Sequence, residues 1–404
     1  MTVSDSASRG RMFPIDADVL GLGQRLRDVG RVLDARFLDK SELVRLLLVT
    51  LLAGEHMLVV GPPGTAKSAL VRHLARLIDA RYFEYLLTRF SEPNELFGPV
   101  DIKAFREGTF VRRTDAMLPD SEIVFLDEIF KSNSAILNAL LSILNERRFF
   151  TGSQSMKVPL CSLFAATNEI PNDDALGAIF DRFLVRALSE NLDSFHFHGL
   201  VDRGIRGEIA ELTGADENVQ PLVSLAEIRR LQARMGQFLV FPEDWMARYK
   251  GFIFQIRSEG ISLSDRRVVK LLKLFASSAL IDGRPTVNLG DFFILRHVWN
   301  SPDQIPILDE IVGPVLESHH RDHPEDRRTG VAAADLDGIL AELNVIRGIL
   351  LGGQVLSDVQ LFSQLRNLQD IRAALQVLGT ETAVGVAAEV DKLLEGVFES
   401  SKWA

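Results

Sequence analysis

A glycine- and proline-rich loop stands between a short apolar run and a helical pattern. The run is Met57–Val60, the loop is Gly61-Pro62-Pro63-Gly64-Thr65-Ala66-Lys67-Ser68, and apolar residues then recur at helical spacing through Ser68–Asp79. A loop of small residues at the start of a helix lets backbone N–H groups approach phosphate oxygens closely. The pattern predicts a strand, phosphate loop and helix, the unit from which α/β folds with mostly parallel sheets are built.

The last residues of the loop predict which groups of a nucleotide are bound. Lys67 would reach the β- and γ-phosphates of ATP, and the Ser68 hydroxyl would bind Mg²⁺. Ala66 stands where such loops usually have a second glycine. We expect it to be tolerated if its φ is already helical. The alternative is a Gly/Pro turn that precedes a lysine by chance.

Two carboxylates follow another apolar run, Ile123–Leu126. Ligand sites of open α/β sheets lie beyond the carboxyl ends of the strands, so Asp127 and Glu128 should face the phosphate loop. We expect Asp127 to hold Mg²⁺ through water and Glu128 to orient and polarise the attacking water. An acidic N-cap for the next helix is a second reading that does not exclude the first.

Two further residues fit the same chemistry. Asn168 ends the run Phe164–Thr167, where it would either bond the attacking water or start a turn before Pro171. Arg182, in Asp181-Arg182-Phe183, would either stabilise the γ-phosphate of a neighbouring subunit as an arginine finger or form a local pair with Asp181.

The remaining pattern predicts an α/β region with two β-hairpin inserts and then helices. Gly98-Pro99 and Arg106-Glu107-Gly108 indicate one hairpin within Phe97–Leu118, and Thr151-Gly152-Ser153 indicates another within Phe149–Pro159. Strand-like runs and amphipathic helical patterns complete the chain. The further strands are Tyr82–Leu86, Ser162–Thr167 and Leu184–Leu188. The helices are Ile136–Arg147, Ser224–Leu239, Trp245–Glu259, Arg266–Asp282, Leu289–Trp299, Ala334–Leu351, Ser357–Leu378 and Thr382–Phe398.

These patterns divide the chain into four predicted regions. Residues 1–15 form a flexible N-terminus, 16–194 an α/β nucleotide-binding core, 195–302 an all-α lid and 303–404 a helical C-terminal extension. The stretch Asp303–Thr329 is linker-like. The extension would either enlarge the lid or dock a partner through its amphipathic helices.

Composition limits the partners and the compartment. A formal net charge of -10 argues against a broad nucleic-acid-binding surface, because duplex affinity comes largely from Lys and Arg. A single cysteine, Cys161, fits a reducing compartment, and we expect a cytoplasmic protein. The most apolar stretch, Leu43–Val60, contains Arg45, Glu55 and His56, so it indicates a core helix and strand instead of a membrane span. His196, His198 and the group His319, His320 and His323 lack ligands at zinc-site spacing, which favours a surface or core role over metal binding.

The order of these motifs resembles the AAA+ ATPases, and the two inserts resemble those of the helix-2-insert group. The closest resemblance is to the MoxR family, especially RavA-like members, over residues 20 to 300. The phrases that carry it are Thr88-Arg89-Phe90-Ser91, Glu95-Leu96-Phe97-Gly98-Pro99, Glu122–Lys131, Ala135–Arg147 and Ser264-Asp265-Arg266-Arg267.

The resemblance implies properties that the spacing alone does not. Arg266 matches the sensor 2 arginine that contacts the γ-phosphate, with Arg267 as the adjacent alternative. Alanine before the loop lysine is common in the family. Related proteins form rings, here expected to be homo-hexamers, and their hairpins face the pore or a client. MoxR proteins act as chaperone-like remodellers, often with a von Willebrand factor A (vWA) domain partner. A metal-chelatase-like motor, a nucleic-acid motor and a nucleotide-dependent scaffold are the alternatives.

Overall fold

The structure is a computed structural model that describes residues 12–151, 154–170, 174–192, 197–214, 219–323, 326, 336–351 and 381–400, with separate positions between 361 and 375. Its contacts divide the chain into two compact units. The first comprises residues 1–33, 43–190 and 219–327, and the second comprises residues 34–42, 191–218 and 328–404.

A parallel five-stranded sheet forms the centre of the first unit. In chain order the strands of this sheet and of a separate hairpin are β1 (Met57–Val60), β2 (Tyr82–Leu86), β3 (Ile123–Asp127), β4 (Arg148–Thr151), β5 (Gln154–Lys157), β6 (Ser162–Thr167) and β7 (Val185–Leu188). The sheet order is β2-β3-β6-β1-β7. Strands β1, β3 and β6 consist almost wholly of buried residues, as expected for a parallel sheet covered on both faces. The predicted α/β fold is confirmed.

Helices cover this sheet and continue into an all-α lid. They are α1 (Ala17–Arg36), α2 (Ser41–Ala53), α3 (Lys67–Leu77), α4 (Pro93–Phe97), α5 (Ile102–Arg106), α6 (Ser134–Glu146) and α7 (Asp174–Phe180). Helix α8 (Phe197–Leu212) belongs to the second unit. The lid contains α9 (Leu225–Ala233), α10 (Glu243–Ser258), α11 (Asp265–Ile281) and α12 (Ile305–Asp322), with 3₁₀ helices at Met235–Phe238 and Leu289–His297.

One of the two predicted hairpins is wrong in part. In the insert Phe97–Leu118 the first arm is the short helix α5, capped by the Asp101 side chain, and only a single bridge joins Val100 to Arg112. The Asp101 carboxylate accepts hydrogen bonds from the backbone of Lys103 and Ala104, which favours a helix over a strand. The second hairpin is confirmed by the antiparallel pairing of β4 with β5, although Gly152 and Ser153 lie outside the described residues.

The predicted linker Asp303–Thr329 is wrong over most of its length, because it contains α12. Residues Leu308, Ile311, Val312 and Leu316 of this helix are buried and follow helical spacing. Pro314 stands inside the helix and shortens its hydrogen-bond ladder without ending it. The polar residues on the outer face of this helix led to the prediction of a linker.

The predicted flexible N-terminus is wrong at its end. Residues 1–11 lie outside the described residues, but Phe13 is 4% exposed and packs edge-on against Phe238 of the lid. Its backbone N–H donates to the Pro285 carbonyl at 2.6 Å. A single aromatic residue therefore fixes this segment to the lid.

The second unit includes α8, α13 (Leu336–Leu351) and α14 (Glu381–Ser400). Ile339, Leu343 and Ile346, from the predicted apolar stripe, are buried in a cluster with other apolar residues. The other buried members are Leu368, Ile371, Leu375, Ala383, Val390 and Leu394. Much of the predicted helix Ser357–Leu378 lies outside the described residues. The contact-based units therefore group residues 191–218 with the C-terminal part, and the functional domain division stays a prediction.

Within the described part of the chain, no helix has the length and apolar character needed to cross a membrane. The same residues contain no group of three His, Cys, Asp or Glu side chains that could hold a metal. His319 is buried and pairs with Asp326 at 2.9 Å, while His196 lies outside the described residues.

Candidate functional site

The carboxyl ends of three neighbouring strands bring the predicted site together. Val60 of β1 lies opposite Thr167 of β6, and Leu126 of β3 lies opposite Ala165. The N–H of Gly61 donates to the Thr167 carbonyl at 3.0 Å. The phosphate loop, Asn168 and the Asp127–Glu128 pair therefore follow adjacent strands at one edge of the sheet, the edge where α/β proteins bind ligands.

Three positions of the loop have backbone conformations or contacts that favour glycine, and two of them are glycines. A Cβ on Gly61 would lie 2.1 Å from the Ser189 carbonyl oxygen, so only glycine fits there. Gly64 has φ 83° and open space around its missing Cβ. Ala66 has φ 60° in the left-handed region, so the expectation of a helical φ is wrong. This conformation costs an alanine about 1–2 kcal/mol, which is why a glycine is usual at that position.

Lys67 begins α3 and is 7% exposed. Its ammonium group donates to the carbonyls of Gly61 and Pro62 at 3.0 and 2.6 Å, and to Thr65 Oγ1 at 3.2 Å. Burial lowers the pKa of Lys67, and the carboxylates of Asp127 and Glu128 oppose that shift. The lysine is therefore held inside the loop with two acidic groups near enough to affect its charge.

Asp127 is the last residue of β3 and is partly buried. Its Oδ1 accepts the N–H of Glu128 at 3.0 Å. Burial raises the pKa of Asp127, and this hydrogen bond and the charge of Lys67 oppose the shift. A desolvated carboxylate beside a lysine is a strong ligand for a divalent cation, because binding the cation relieves the cost of burying its charge.

Glu128 has an unusual backbone and an incompletely satisfied side chain. Its φ of 54° is left-handed, a conformation that is uncommon for non-glycine residues and costs free energy. The side chain is 16% exposed, and Oε2 lies 3.3 Å from Lys131 Nζ. This pair lacks hydrogen-bond geometry, and Oε2 accepts no hydrogen bond within the described residues. This buried oxygen therefore has an unused hydrogen-bond acceptor. The neighbouring Lys131 was not predicted from the sequence.

Asn168 follows β6 directly and is exposed. A turn does begin here, because Thr167 Oγ1 donates to the Glu169 carbonyl at 2.7 Å and accepts the Glu169 N–H at 3.3 Å. The two readings of Asn168 are therefore compatible: the hydroxyl of Thr167 makes the turn, and the amide of Asn168 is presented at the site edge.

The two predicted arginines lie at the opposite edge of the sheet. Arg266, which is exposed, donates to Asn145 Oδ1 at 3.0 Å, near the end of α6. That helix starts just after Glu128, and twelve residues of helix span about 18 Å. One turn further along α11, Lys270 pairs at 2.6 Å with Glu55, which lies two residues before the start of β1. Arg266 is therefore beside the amino ends of the strands, while the phosphate loop is at their carboxyl ends.

Arg182 precedes β7 and is at the same edge as Arg266. It pairs with Asp181 at 3.1 Å and its side chain is 20% exposed. Asp181 Oδ1 also accepts a hydrogen bond from Ser264 Oγ at 3.3 Å, which joins this segment to the start of α11. Burial lowers the pKa of Arg182, and the positive charge of Arg266 lowers it further. Arg182 therefore forms the local pair with Asp181 and also lies close to Arg266.

Arg267, the alternative to Arg266, is 1% exposed. It donates to Asn300 Oδ1 at 3.0 Å and to the Val298 carbonyl at 2.8 Å. Arg186 of β7 is also fully buried and shares the same Asn300 oxygen at 2.8 Å. Arg267 was considered only as an alternative to Arg266, and Arg186 was not predicted, although an arginine inside the apolar run Leu184–Leu188 was a signal in the sequence. Only Arg266 of the adjacent pair has an exposed guanidinium.

The sheet edge fits magnesium and a triphosphate. The Ser68 hydroxyl at the start of α3 and the desolvated Asp127 carboxylate are oxygen ligands of the kind Mg²⁺ takes. The space beside Gly64 and the N-terminal N–H groups of α3 suit phosphate oxygens.

A parallel sheet with a phosphate loop after β1, an acidic pair at the carboxyl end of β3 and a helical lid define the AAA+ class of ATPases. A family model described as the MoxR domain in the MoxR-vWA-beta-propeller ternary systems matches residues 24–233, and an AAA lid domain model matches residues 248–312. The chain therefore belongs to the MoxR family of AAA+ ATPases.

Individual relatives agree with this assignment. An uncharacterized protein of Methanocaldococcus jannaschii is 39% identical over 301 residues, covering 73% of this chain and 75% of its own. Chaperone MoxR1 of Mycobacterium tuberculosis is 27% identical over 174 residues, which is 42% of this chain and 44% of its own. The fold is shared with a solved structure from Cytophaga hutchinsonii described as a candidate ATPase, at TM-score 0.58 and 18% identity, covering 74% of this chain and 96% of that one.

Proposed function

We propose that the protein hydrolyses ATP to ADP and phosphate at a site completed by two subunits of a ring. The observation that supports this most directly is the separation of the predicted site residues between opposite edges of the sheet. The phosphate loop, Asp127, Glu128 and Asn168 follow the carboxyl ends of the strands. Arg182 and Arg266 lie beside the amino ends.

Each residue at the carboxyl edge has a distinct role in this proposal. The loop from Gly61 to Ser68 binds the phosphates, with Lys67 as a charge that moves from the loop carbonyls to the β- and γ-phosphates. Asp127 and Ser68 hold Mg²⁺, whose chemistry is to neutralise charge on the phosphate oxygens. Glu128 orients the attacking water through its free lone pair, and Asn168 steadies the same water.

The arginines serve the next subunit in the ring. Arg266 contacts the far end of α6, so it cannot reach the phosphate loop of its own chain without the lid leaving the core. Arg182 is joined to the same surface through Asp181 and Ser264. Arg266 is exposed, and Arg182 is 20% exposed and lies close enough for the charge of Arg266 to affect it. Together they would suit the γ-phosphate of a neighbour, where they would stabilise transition-state charge. A homo-hexameric ring is our proposed assembly.

Hydrolysis would drive remodelling of a protein client or complex. The named relative Chaperone MoxR1 supports a chaperone-like role, and the description of the matching family supports a vWA domain partner. The hairpin β4–β5 and the insert Phe97–Leu118 would transmit the movement. Phe105 of the insert and Phe150 of the hairpin are 60% and 52% exposed, as contact residues for a client require. A cytoplasmic location is part of the proposal.

The substitution Glu128→Gln tests hydrolysis at this site. It keeps the size of the side chain and removes the base, so we expect ATP to bind with affinity close to that of the wild type while turnover falls at least a hundredfold. The matched control is Glu259→Gln, an exposed glutamate at the end of α10, which should leave both quantities unchanged. Undiminished turnover in Glu128→Gln would refute the assignment of this residue.

A further inference from the structure

Asn300 joins two fully buried arginines between the core and the lid. Its Oδ1 accepts hydrogen bonds from Arg186 Nη1 at 2.8 Å and from Arg267 Nη1 at 3.0 Å. Its Nδ2 donates to the Ser262 carbonyl and its N–H donates to Gln304, both at 2.8 Å. Arg186 comes from β7 and Arg267 from α11, so this one amide joins the strand after Arg182 to the helix that carries Arg266.

Both guanidinium groups are buried, and neither contacts a carboxylate among the described residues. Arg186 and Arg267 are 0% and 1% exposed, and their remaining bonds go to the backbone carbonyls of Phe180, Val298 and Trp299. The Nε atoms of both residues are buried, and among the described residues neither Nε–H has a hydrogen-bond acceptor. Burial lowers the pKa of Arg267 to about 10 and the pKa of Arg186 well below its ordinary value. Burying charge in this way is costly.

Asp181 is the carboxylate that influences both buried arginines, but its own contacts are used elsewhere. It raises the pKa of Arg186 and of Arg267, while its oxygens contact Arg182 and Ser264. One carboxylate therefore faces three arginines of the core–lid joint and the exposed Arg266 beside them. An aspartate has nearly the shape of an asparagine, so changing one atom at position 300 would place a negative charge against both buried guanidinium groups.

We propose that the neutral amide of Asn300 positions the Arg186–Arg267 pair without adding a counter-charge, so that the positive charge that Asp181 alone does not balance attracts the triphosphate bound by the neighbouring subunit. The inference rests on the proposed shared site and adds a second source of the positive potential at that site. Charge interactions through protein are screened less than those through water, so buried guanidiniums behind Arg182 and Arg266 strengthen the field at the subunit boundary. Asn300 acts as a positioning residue and touches no substrate.

The substitution Asn300→Asp separates charge from structure. Asp keeps the acceptor for both arginines and adds a negative charge beside them, at the loss of the solvent-accessible bond to Ser262. We expect the melting temperature to stay level or rise, while kcat/KM for ATP falls about tenfold. The comparison variant Asn300→Ala removes the joint but leaves the positive charge. It should melt at a lower temperature and yet, in its folded state, keep more activity than Asn300→Asp.

Mixed rings show where the effect acts. Asn300→Asp subunits contain an intact Glu128, and Glu128→Gln subunits contain the arginine pair with its neutral Asn300. We expect mixing the two to restore turnover, as it should for Arg182→Ala in the parallel control. Wild-type kcat/KM in Asn300→Asp, or an activity above that of Asn300→Ala, would overturn the inference while leaving the shared site intact. A control in which Arg182→Ala is not restored would refute the shared site and the inference together.

Discussion

Replacing glycines of the phosphate loop by alanine distinguishes steric exclusion from backbone strain. In Gly61→Ala the new Cβ would lie 2.1 Å from the Ser189 carbonyl oxygen, well inside normal contact distance. Ser189 cannot retreat freely, since its N–H donates to the Val60 carbonyl at 2.8 Å. A lost buried hydrogen bond costs about 1 kcal/mol and overpacking costs about 1–3 kcal/mol, so we expect a loss of about 2–4 kcal/mol in stability.

Two other glycines provide matched comparisons. Gly64 and Gly108 have φ of 83° and 81°, and nothing lies within 4 Å of an added Cβ at either one. Each alanine should therefore cost about 1–2 kcal/mol from left-handed strain alone. Gly64→Ala should also weaken ATP binding, because its backbone would approach the phosphates, whereas Gly108→Ala should not.

The measurements are thermal unfolding without nucleotide and binding of a fluorescent ATP analogue by each folded variant. We expect Gly61→Ala to unfold at the lowest temperature, with Gly64→Ala and Gly108→Ala close together above it. If Gly61→Ala unfolds at the same temperature as Gly108→Ala, the steric reasoning at the start of the loop is refuted. Equal ATP affinity in Gly64→Ala and Gly108→Ala would refute the role given to the loop backbone.

Three further substitutions follow from the same site and its attachment to the lid. Ala66→Gly should raise stability by up to about 1 kcal/mol in thermal unfolding by relieving the left-handed φ, and a loss would contradict the strain assigned there. Because burial raises the pKa of Asp127, ionising this carboxylate costs stability at pH values above the pKa of the unfolded state. Asp127→Asn should therefore stabilise the protein at neutral pH while abolishing Mg²⁺-dependent turnover. Retained turnover would count against the metal role. Glu55→Gln removes a 2% exposed carboxylate that pairs with the partly exposed Lys270 and Lys273. We expect the free energy of unfolding, measured in urea, to fall by about 2 kcal/mol. An unchanged free energy would mean that these ion pairs do not hold α11 to the core.

The nucleotide-binding half of the fold could be predicted from local sequence patterns. The phosphate loop, the acidic pair and the strand before Asn168 each combine a short apolar run with a polar end, and the structure brings these ends to one sheet edge. Periodicity and residue type suffice here, since parallel strands share the direction of their carboxyl ends. The left-handed φ of Ala66 could not be predicted, because alanine usually avoids that conformation.

The contacts between core and lid could not be predicted from the sequence. Asn300 lies 114 residues from Arg186 and 33 residues from Arg267, and nothing in its immediate sequence distinguishes it from a turn residue. The hairpin prediction for the insert Phe97–Leu118 failed for a different reason. The alternation of residue types near Arg106 suits a strand, and only the N-cap by Asp101 shows that the segment is helical. The helix Ile305–Asp322 was hidden by its own proline and its charged outer face. Long-range partners and caps decided each of these cases.

The most direct test of the shared ATP site is the turnover of mixed rings made from Arg182→Ala and Glu128→Gln subunits. Each variant alone should be inactive, because one lacks the arginine given to its neighbour and the other lacks its own catalytic carboxylate. Where an Arg182→Ala subunit receives Arg182 from a Glu128→Gln neighbour, the site is complete, so turnover should reappear on mixing and depend on the ratio of the two. Failure to recover any turnover at every ratio, with rings shown to have exchanged subunits, would contradict a site shared across the subunit boundary.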